Sequence, residues 1–146
     1  MKTIYAVLFL FIFSSCTSWT QVTTSKVNNV IEVSGTKNEL FINANEWMVR
    51  TFKDAKSVIQ FQDKEAGKIM GKYLMHSYTT GTDVYSLITI EVRDNATKID
   101  VEPLGSWYYD NSGMTVYNYS PEQAKKDIMQ LLDEYKAYMS KGKESW

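Results

Sequence analysis

Between Ser57 and Glu102 the sequence passes through four successive strand-like runs separated only by short polar turns, three of them alternating apolar with polar residues. A period of two sends successive side chains to opposite faces of a strand, so such a chain must build a sheet with one face buried. Ser57-Val58-Ile59-Gln60-Phe61-Gln62 is β-branched and aromatic, and Asp63-Lys64-Glu65-Ala66-Gly67 turns the chain. Lys68 to Tyr78 then sets Ile69, Gly71, Tyr73 and Met75 against Lys68, Met70, Lys72, Leu74 and His76. After the turn Thr79-Thr80-Gly81-Thr82-Asp83, Val84, Ser86, Ile88, Ile90 and Val92 share one face of a strand ending at Arg93. The fourth run, Lys98 to Glu102, stops at Pro103. A two-residue Asp94-Asn95 loop sets Ile90 opposite Ile99, Ile88 opposite Val101 and Glu91 opposite Lys98. Moving the loop to Asn95-Ala96 would oppose Glu91 and Asp100, a like-charge pair, so the first register is expected.

Two helices frame these strands. Val30-Ile31-Glu32-Val33 is a short opening strand, closed by Ser34-Gly35. Thr36-Lys37-Asn38-Glu39 is a capping box, in which hydroxyl and carboxylate satisfy each other's orphan amides. Behind it Leu40, Ala44, Trp47 and Thr51 step by four, three and four, an amphipathic helix over about 37–54 whose stripe is core. Ser120-Pro121-Glu122-Gln123 opens a second helix with an N-cap, a proline at its first position and a capping Gln. Ala124, Ile128, Leu131, Tyr135 and Tyr138 form its stripe. Residues 141–146 read as a frayed tail.

The order strand, helix, four strands, helix predicts an α+β, two-layer sandwich over 30–140. An antiparallel sheet of about five strands carries both helices on one face. A chain of 146 residues, 44% hydrophobic and 23% charged, has the length of one domain and enough apolar content to fold without staples.

Val58-Ile59-Gln60-Phe61-Gln62-Asp63-Lys64-Glu65-Ala66-Gly67-Lys68-Ile69-Met70-Gly71-Lys72 carries a resemblance, together with Asn45-Glu46-Trp47 and Phe52-Lys53-Asp54-Ala55. The stretch from about Val30 to Met139 resembles a domain-of-unknown-function family of bacterial envelope proteins with a TATA-binding-protein-like (TBP-like) fold. The resemblance implies the β-α-β-β-β-β-α order and an envelope location. It implies no activity, and a fold name does not imply DNA binding.

The N-terminus reads as an address. Ile4 to Phe13 is an uncharged apolar run behind Lys2, the layout of a secretory signal peptide and too short to span a bilayer. Phe13-Ser14-Ser15-Cys16 resembles a bacterial lipobox, with Phe13 in place of the usual Leu and the chain's single cysteine last. Cleavage after residue 15 would leave a mature chain of 131 residues anchored by acyl chains on Cys16. Removing 1–15 deletes one base, Lys2, and no acid, leaving 15 bases against 17 acids. Residues 16–29, rich in Ser, Thr and Asn, read as a flexible tether. The expectation is an exported, lipid-anchored protein, on the periplasmic side rather than at the cell surface.

The residues exclude most chemistry. One cysteine and one histidine rule out a disulfide framework, a multi-cysteine zinc site and a histidine-rich metal centre, and no cofactor is expected. Gly67-Lys68-Ile69-Met70-Gly71-Lys72-Tyr73 is one residue short of a P-loop and leads into a strand. His76 has no G-x-S-x-G or H-E-x-x-H around it and reads as structural or solvated. Glu91, Asp100 and Glu102 share the polar face of the central hairpin, among Arg93 and Lys98. Paired carboxylates can hydrolyse glycosides, but on a solvated face they ordinarily serve solubility. No catalytic residue is assigned.

The aromatic loop from Gly105 to Tyr119 offers a binding surface instead. Trp107, Tyr108, Tyr109, Tyr117 and Tyr119 supply flat amphipathic rings of the kind that stack on glycans or anchor an envelope protein. The same rings could fold back over the core. Residues 103–120 contain no Lys or Arg and the net charge is −1, so a nucleic-acid partner is not expected. Three functions follow: a non-enzymatic binding or assembly module, which is preferred, a small hydrolase on the strand-face carboxylates, or a purely structural protein.

Overall fold

The computed structural model of the protein describes residues 20–22, 26–52, 59–77, 83–104, 107–109 and 119–141. Its elements are β1 (Thr20–Val22), β2 (Val27–Glu32), α1 (Lys37–Thr51), β3 (Ile59–Asp63), β4 (Lys68–Ser77), β5 (Asp83–Arg93), β6 (Ala96–Leu104), β7 (Trp107–Tyr109) and α2 (Pro121–Ser140). Five strands form one antiparallel sheet in the order β2-β6-β5-β4-β3. α1 packs on β5 and β6, α2 packs on β2 and β6, and the helices touch each other. The two-layer α+β sandwich read from the sequence is the fold observed.

The central hairpin turns on Asp94-Asn95, with Asn95 at φ 59° in the left-handed region that Asn tolerates. Ile90 faces Ile99, Ile88 faces Val101 and Glu91 faces Lys98, the register that charge favoured. The helix side of the sheet buries Ile88, Ile90, Val92, Ile99, Val101 and Ile69. Against them lie Leu40, Ala44, Trp47 and Met48 of α1 and Ile128, Leu131, Leu132, Tyr135 and Met139 of α2. Trp47 meets Tyr135 edge-on at 4.7 Å and Phe52 at 5.7 Å, the offset geometry that ring quadrupoles prefer.

Both helix starts obey local chemistry. Glu39 N donates to Thr36 Oγ1 at 3.3 Å while Thr36 N donates to Glu39 Oε2 at 3.0 Å, so the capping box is complete. Gln123 N donates to Ser120 Oγ at 3.1 Å, but the Gln123 side chain reaches along the helix to Asp127 rather than back to the cap. Gly67 closes the β3–β4 turn at φ +70°, and a Cβ there would stand 2.5 Å from the Val92 carbonyl oxygen. The same approach lets Val92 N donate to Gly67 O at 2.8 Å, pinning this turn to β5. The chain beyond Gly67 runs into a strand, not a phosphate-binding helix.

Four expectations are corrected. The stretch 16–29 is not all tether, and 105–119 is not all loop: Thr20–Val22 pairs with Trp107–Tyr109, and β2 opens at Val27 rather than 30. Each segment looks loop-like alone, and the pairing supplies backbone partners that neither has locally. His76 does not share a face with Lys72 and Leu74. Leu74 pairs with Tyr85 and His76 with Val84, so a bulge takes up Met75 and turns His76 to the helix side. Its ring stacks on Tyr119 with centroids 4.8 Å apart and planes 4° from parallel. Asp100, expected on a solvated face, is only 4% exposed because Lys26 and Lys98 close over it.

Candidate functional site

The helices cover one face of the sheet, and the register fixes what the other presents. One row runs Asp63–Lys68–Glu91–Lys98–Val30 across all five strands. The next is Phe61–Met70–Thr89–Asp100–Asn28, followed by Lys72–Leu87–Glu102 and then Leu74–Tyr85–Leu104. The row at the Asp94-Asn95 end therefore carries four charged side chains with Val30, and the row farthest from it is wholly apolar or aromatic.

At the charged end the side chains neutralise each other. Glu91 lies 3.9 Å from the ammonium groups of both Lys68 and Lys98. Lys98 and Lys26 each stand 3.0 Å from Asp100 Oδ2. Burial pushes the Asp100 pKa up, but hydrogen bonds from Lys98 and Lys26, with their charges, outweigh it and hold the group below the usual carboxylate value. Lys98 is raised in turn, first by its hydrogen bond to Asp100. Asp100 Oδ1 is buried without a hydrogen-bond partner among the described residues. A general acid needs the reverse, a carboxyl whose pKa is raised. A cleft of about 240 Å³ beside this row is lined by Val30, Glu91, Arg93 and Lys98, below the usual size of a small-molecule site. A wider depression of about 660 Å³ follows the outer surface of α2 and takes its lining from that helix alone among the described residues.

Between and beyond these ions the face is greasy. Phe61 is 48% exposed, Leu74 43% and Leu104 42%, with Met70, Leu87 and Tyr85 half-buried between them. Lys72 Nζ sits 3.8 Å above the Tyr85 ring, and the Tyr85 hydroxyl donates to Asp83 at 3.0 Å. Hydrogen bonds from Ser77 and then Tyr85 hold Asp83 below its ordinary pKa. These apolar positions fall where alternation calls for polar residues, a departure visible in the sequence that singles out this face.

Of the residues singled out in the sequence, Cys16 and Tyr117 lie outside the described residues. Trp107, Tyr108 and Tyr109 form β7, with Val22 opposite Trp107 and Thr20 opposite Tyr109. Tyr119 is not part of that strand: it is 3% exposed, stacked on His76, and donates its hydroxyl to Asp127 at 2.8 Å. Its ring is packing, not an open platform. Glu91, Asp100 and Glu102 do share one sheet face, with Asp100 engaged by two lysines. Among the described residues no three His, Cys, Asp or Glu side chains are grouped to hold a metal ion. No helix among them is long and apolar enough to cross a membrane.

Comparison with known proteins agrees with this architecture. A solved TBP-like protein from Parabacteroides distasonis ATCC 8503 is 17% identical, over 78% of this chain and 91% of that one, with a TM-score of 0.52. A DUF4468 family protein from Bacteroides ovatus ATCC 8483 is 14% identical, over 75% of this chain and 80% of that one, with a TM-score of 0.47. The former likeness speaks for the fold alone. No curated protein matches the chain. Residues 27–105, just over half of the sequence and the whole of the five-stranded sheet, match the domain of unknown function (DUF4468) with TBP-like fold, and the chain belongs to that family.

Proposed function

We propose that the chain is a non-enzymatic binding or assembly module of a bacterial envelope, exported and lipid-anchored through Cys16. The observation that carries the binding reading is the open sheet face, where Phe61 stands 48% exposed beside Met70 with no helix over it among the described residues. Monomeric surfaces tolerate single exposed apolar residues, but a contiguous set on one side of a sheet marks a contact surface. Glu91 and Asp100 nearby are engaged by lysines, which supports binding over hydrolysis. The anchor rests on the apolar leader and the Phe13-Ser14-Ser15-Cys16 sequence.

Metabolic labelling with a palmitate analogue tests the anchor. Label is expected on the native protein and absent from Cys16→Ser; label persisting in the variant overturns it. Capture from envelope extract tests the face. A component retained by the native protein and by Glu91→Gln/Glu102→Gln, but lost with Phe61→Ser/Met70→Ser, is the expected result. Retention by every variant overturns the assignment of this face.

A further inference from the structure

We infer that the β1–β7 ribbon and the adjoining row Leu74–Tyr85–Leu104 form a lipid-facing end of the domain, seated at the headgroup boundary of the membrane that holds it. This rests on the anchored reading above and adds to it the surface that meets the bilayer. Cys16 lies four residues before Thr20, so at most ~14 Å of extended chain separates the acylated sulfur from β1. A long tether would let the domain stand away from the membrane; this one holds the first paired strand against it. The strand held there is paired to Trp107-Tyr108-Tyr109, residue types that concentrate at membrane–water boundaries because each couples an apolar ring to a polar tip.

The sheet is polarised along the same axis. β7 begins three residues after Leu104, and β6 leaves the sheet at the row it shares with Tyr85 and Leu74. Leu74 and Leu104 are each more than two-fifths exposed at this end. Lys72, lying over the Tyr85 ring, offers an ammonium there for a lipid phosphate. The Glu91–Lys98 row is six residues away along β5 and β6, ~20 Å, and carries the charge that belongs in water. The row nearest the anchor is thus apolar and aromatic and the lysine–carboxylate pairs lie away from it, while Asp83 at the near end is engaged by the Tyr85 hydroxyl. Residues 103–120 hold no Lys or Arg, so this stretch supplies no attraction to anionic lipid.

Introduced thiols test this directly, because acylation consumes the one native cysteine. The acylated protein carrying Leu104→Cys or Arg93→Cys is labelled with a polarity-sensitive fluorophore and reconstituted in phosphatidylcholine vesicles containing a spin-labelled lipid. A blue shift and quenching are expected at Leu104→Cys and neither at Arg93→Cys. Equal quenching at both sites, or none at either, overturns the proposal. A blue shift at Leu104→Cys without lipid quenching also overturns it, showing that a second copy or another protein covers the row. Should mass spectrometry find Cys16 unacylated, the anchoring reading fails by itself. The same pair in a Cys16→Ser background, added to vesicles from solution, then decides the lipid surface alone. Quenching confined to Leu104→Cys upholds it, and absence of quenching overturns it. In that background Leu74→Ser is expected to weaken vesicle binding about tenfold, the order of losing one buried large apolar side chain.

Discussion

The hydroxyls of Thr97 and Tyr135 lie 2.5 Å apart at the centre of the core, joining β6 to α2. Thr97 Oγ1 also stands 3.4 Å from the Glu91 carbonyl oxygen, so it can donate there and accept from the phenol. Both residues are buried, and each satisfies a polar atom of the other. Thr97→Val leaves the phenol without its partner and is expected to cost about 1–3 kcal/mol, whereas Tyr135→Phe is expected to cost about 1 kcal/mol. The double variant should cost less than the sum of the two. Urea unfolding of the four proteins checks this, and additive costs would show the contact to be energetically idle.

Burial pushes the Tyr135 pKa well above the ordinary phenol value, and the hydrogen bond with Thr97 offsets this only in part. The folded value exceeds the unfolded one, so the folded state holds the proton more tightly. This contribution is complete below the unfolded pKa of about 10 and is lost as pH rises above it, by up to ~1.4 kcal/mol per pH unit. Tyr73, Tyr85 and Tyr138 are raised as well, so the difference between native protein and Tyr135→Phe isolates the buried ring. Stability measured from pH 8 to 11 should fall less steeply in Tyr135→Phe; parallel curves would contradict the assignment.

Asp100 behaves in the opposite sense. Its folded pKa lies below the unfolded value of about 3.9, so its contribution is present above that pH and disappears as pH falls through the folded value. Asp100→Asn leaves Lys26 and Lys98 without the carboxylate and is expected to cost about 1–3 kcal/mol at neutral pH. Both lysines are partly exposed, so solvent holds the loss to the low end of that range. Unfolding at pH 2 to 7 should show a shallower acid limb in the variant, with the two proteins converging at the acid end.

What the sequence carried locally reappears almost unchanged. The Thr36–Glu39 box and the Glu91–Lys98 pairing each depend on residues a few positions apart, so pattern and charge are sufficient to read them. What depends on distant partners was not legible. Alternation continues in letters through His76, but the bulge at Met75 turns that ring onto Tyr119, forty-three residues on. Asp100 is buried by Lys26, and β1 is a strand only because β7 lies beside it. The open face was half legible: Glu91 and Lys98 are exposed on it as alternation implies, while Phe61, Leu74 and Leu104 come onto the same face only through the register of four strands.

Gly67 holds φ at +70° with the Val92 carbonyl where a methyl would go. Gly67→Ala therefore meets backbone strain and a clash with a main-chain oxygen that cannot swing aside, and is expected to cost about 2 kcal/mol or more. Gly35→Ala at φ +150° is strained in its backbone as well, but its nearest neighbour is the Leu40 side chain at 3.1 Å, which can shift where a main-chain oxygen cannot, and it should cost less. Thermal unfolding of the two variants ranks them; a milder effect at Gly67 would contradict the close approach of this turn to β5.

Tyr119 separates packing from display. Its ring lies between His76 and the start of α2, packed with Ala124, and its hydroxyl reaches Asp127 one turn further on. Removing the ring opens a cavity under the N-terminal turn of α2, so Tyr119→Ala is expected to cost about 3 kcal/mol. Tyr119→Phe keeps the ring and loses one hydrogen bond to a charged group, about 1.5 kcal/mol. His76→Ala removes the stacked partner and should cost less than Tyr119→Ala, because His76 is only half-buried. Urea unfolding orders the three. A Tyr119→Ala protein of native stability that has lost an envelope partner would return this ring to the binding surface.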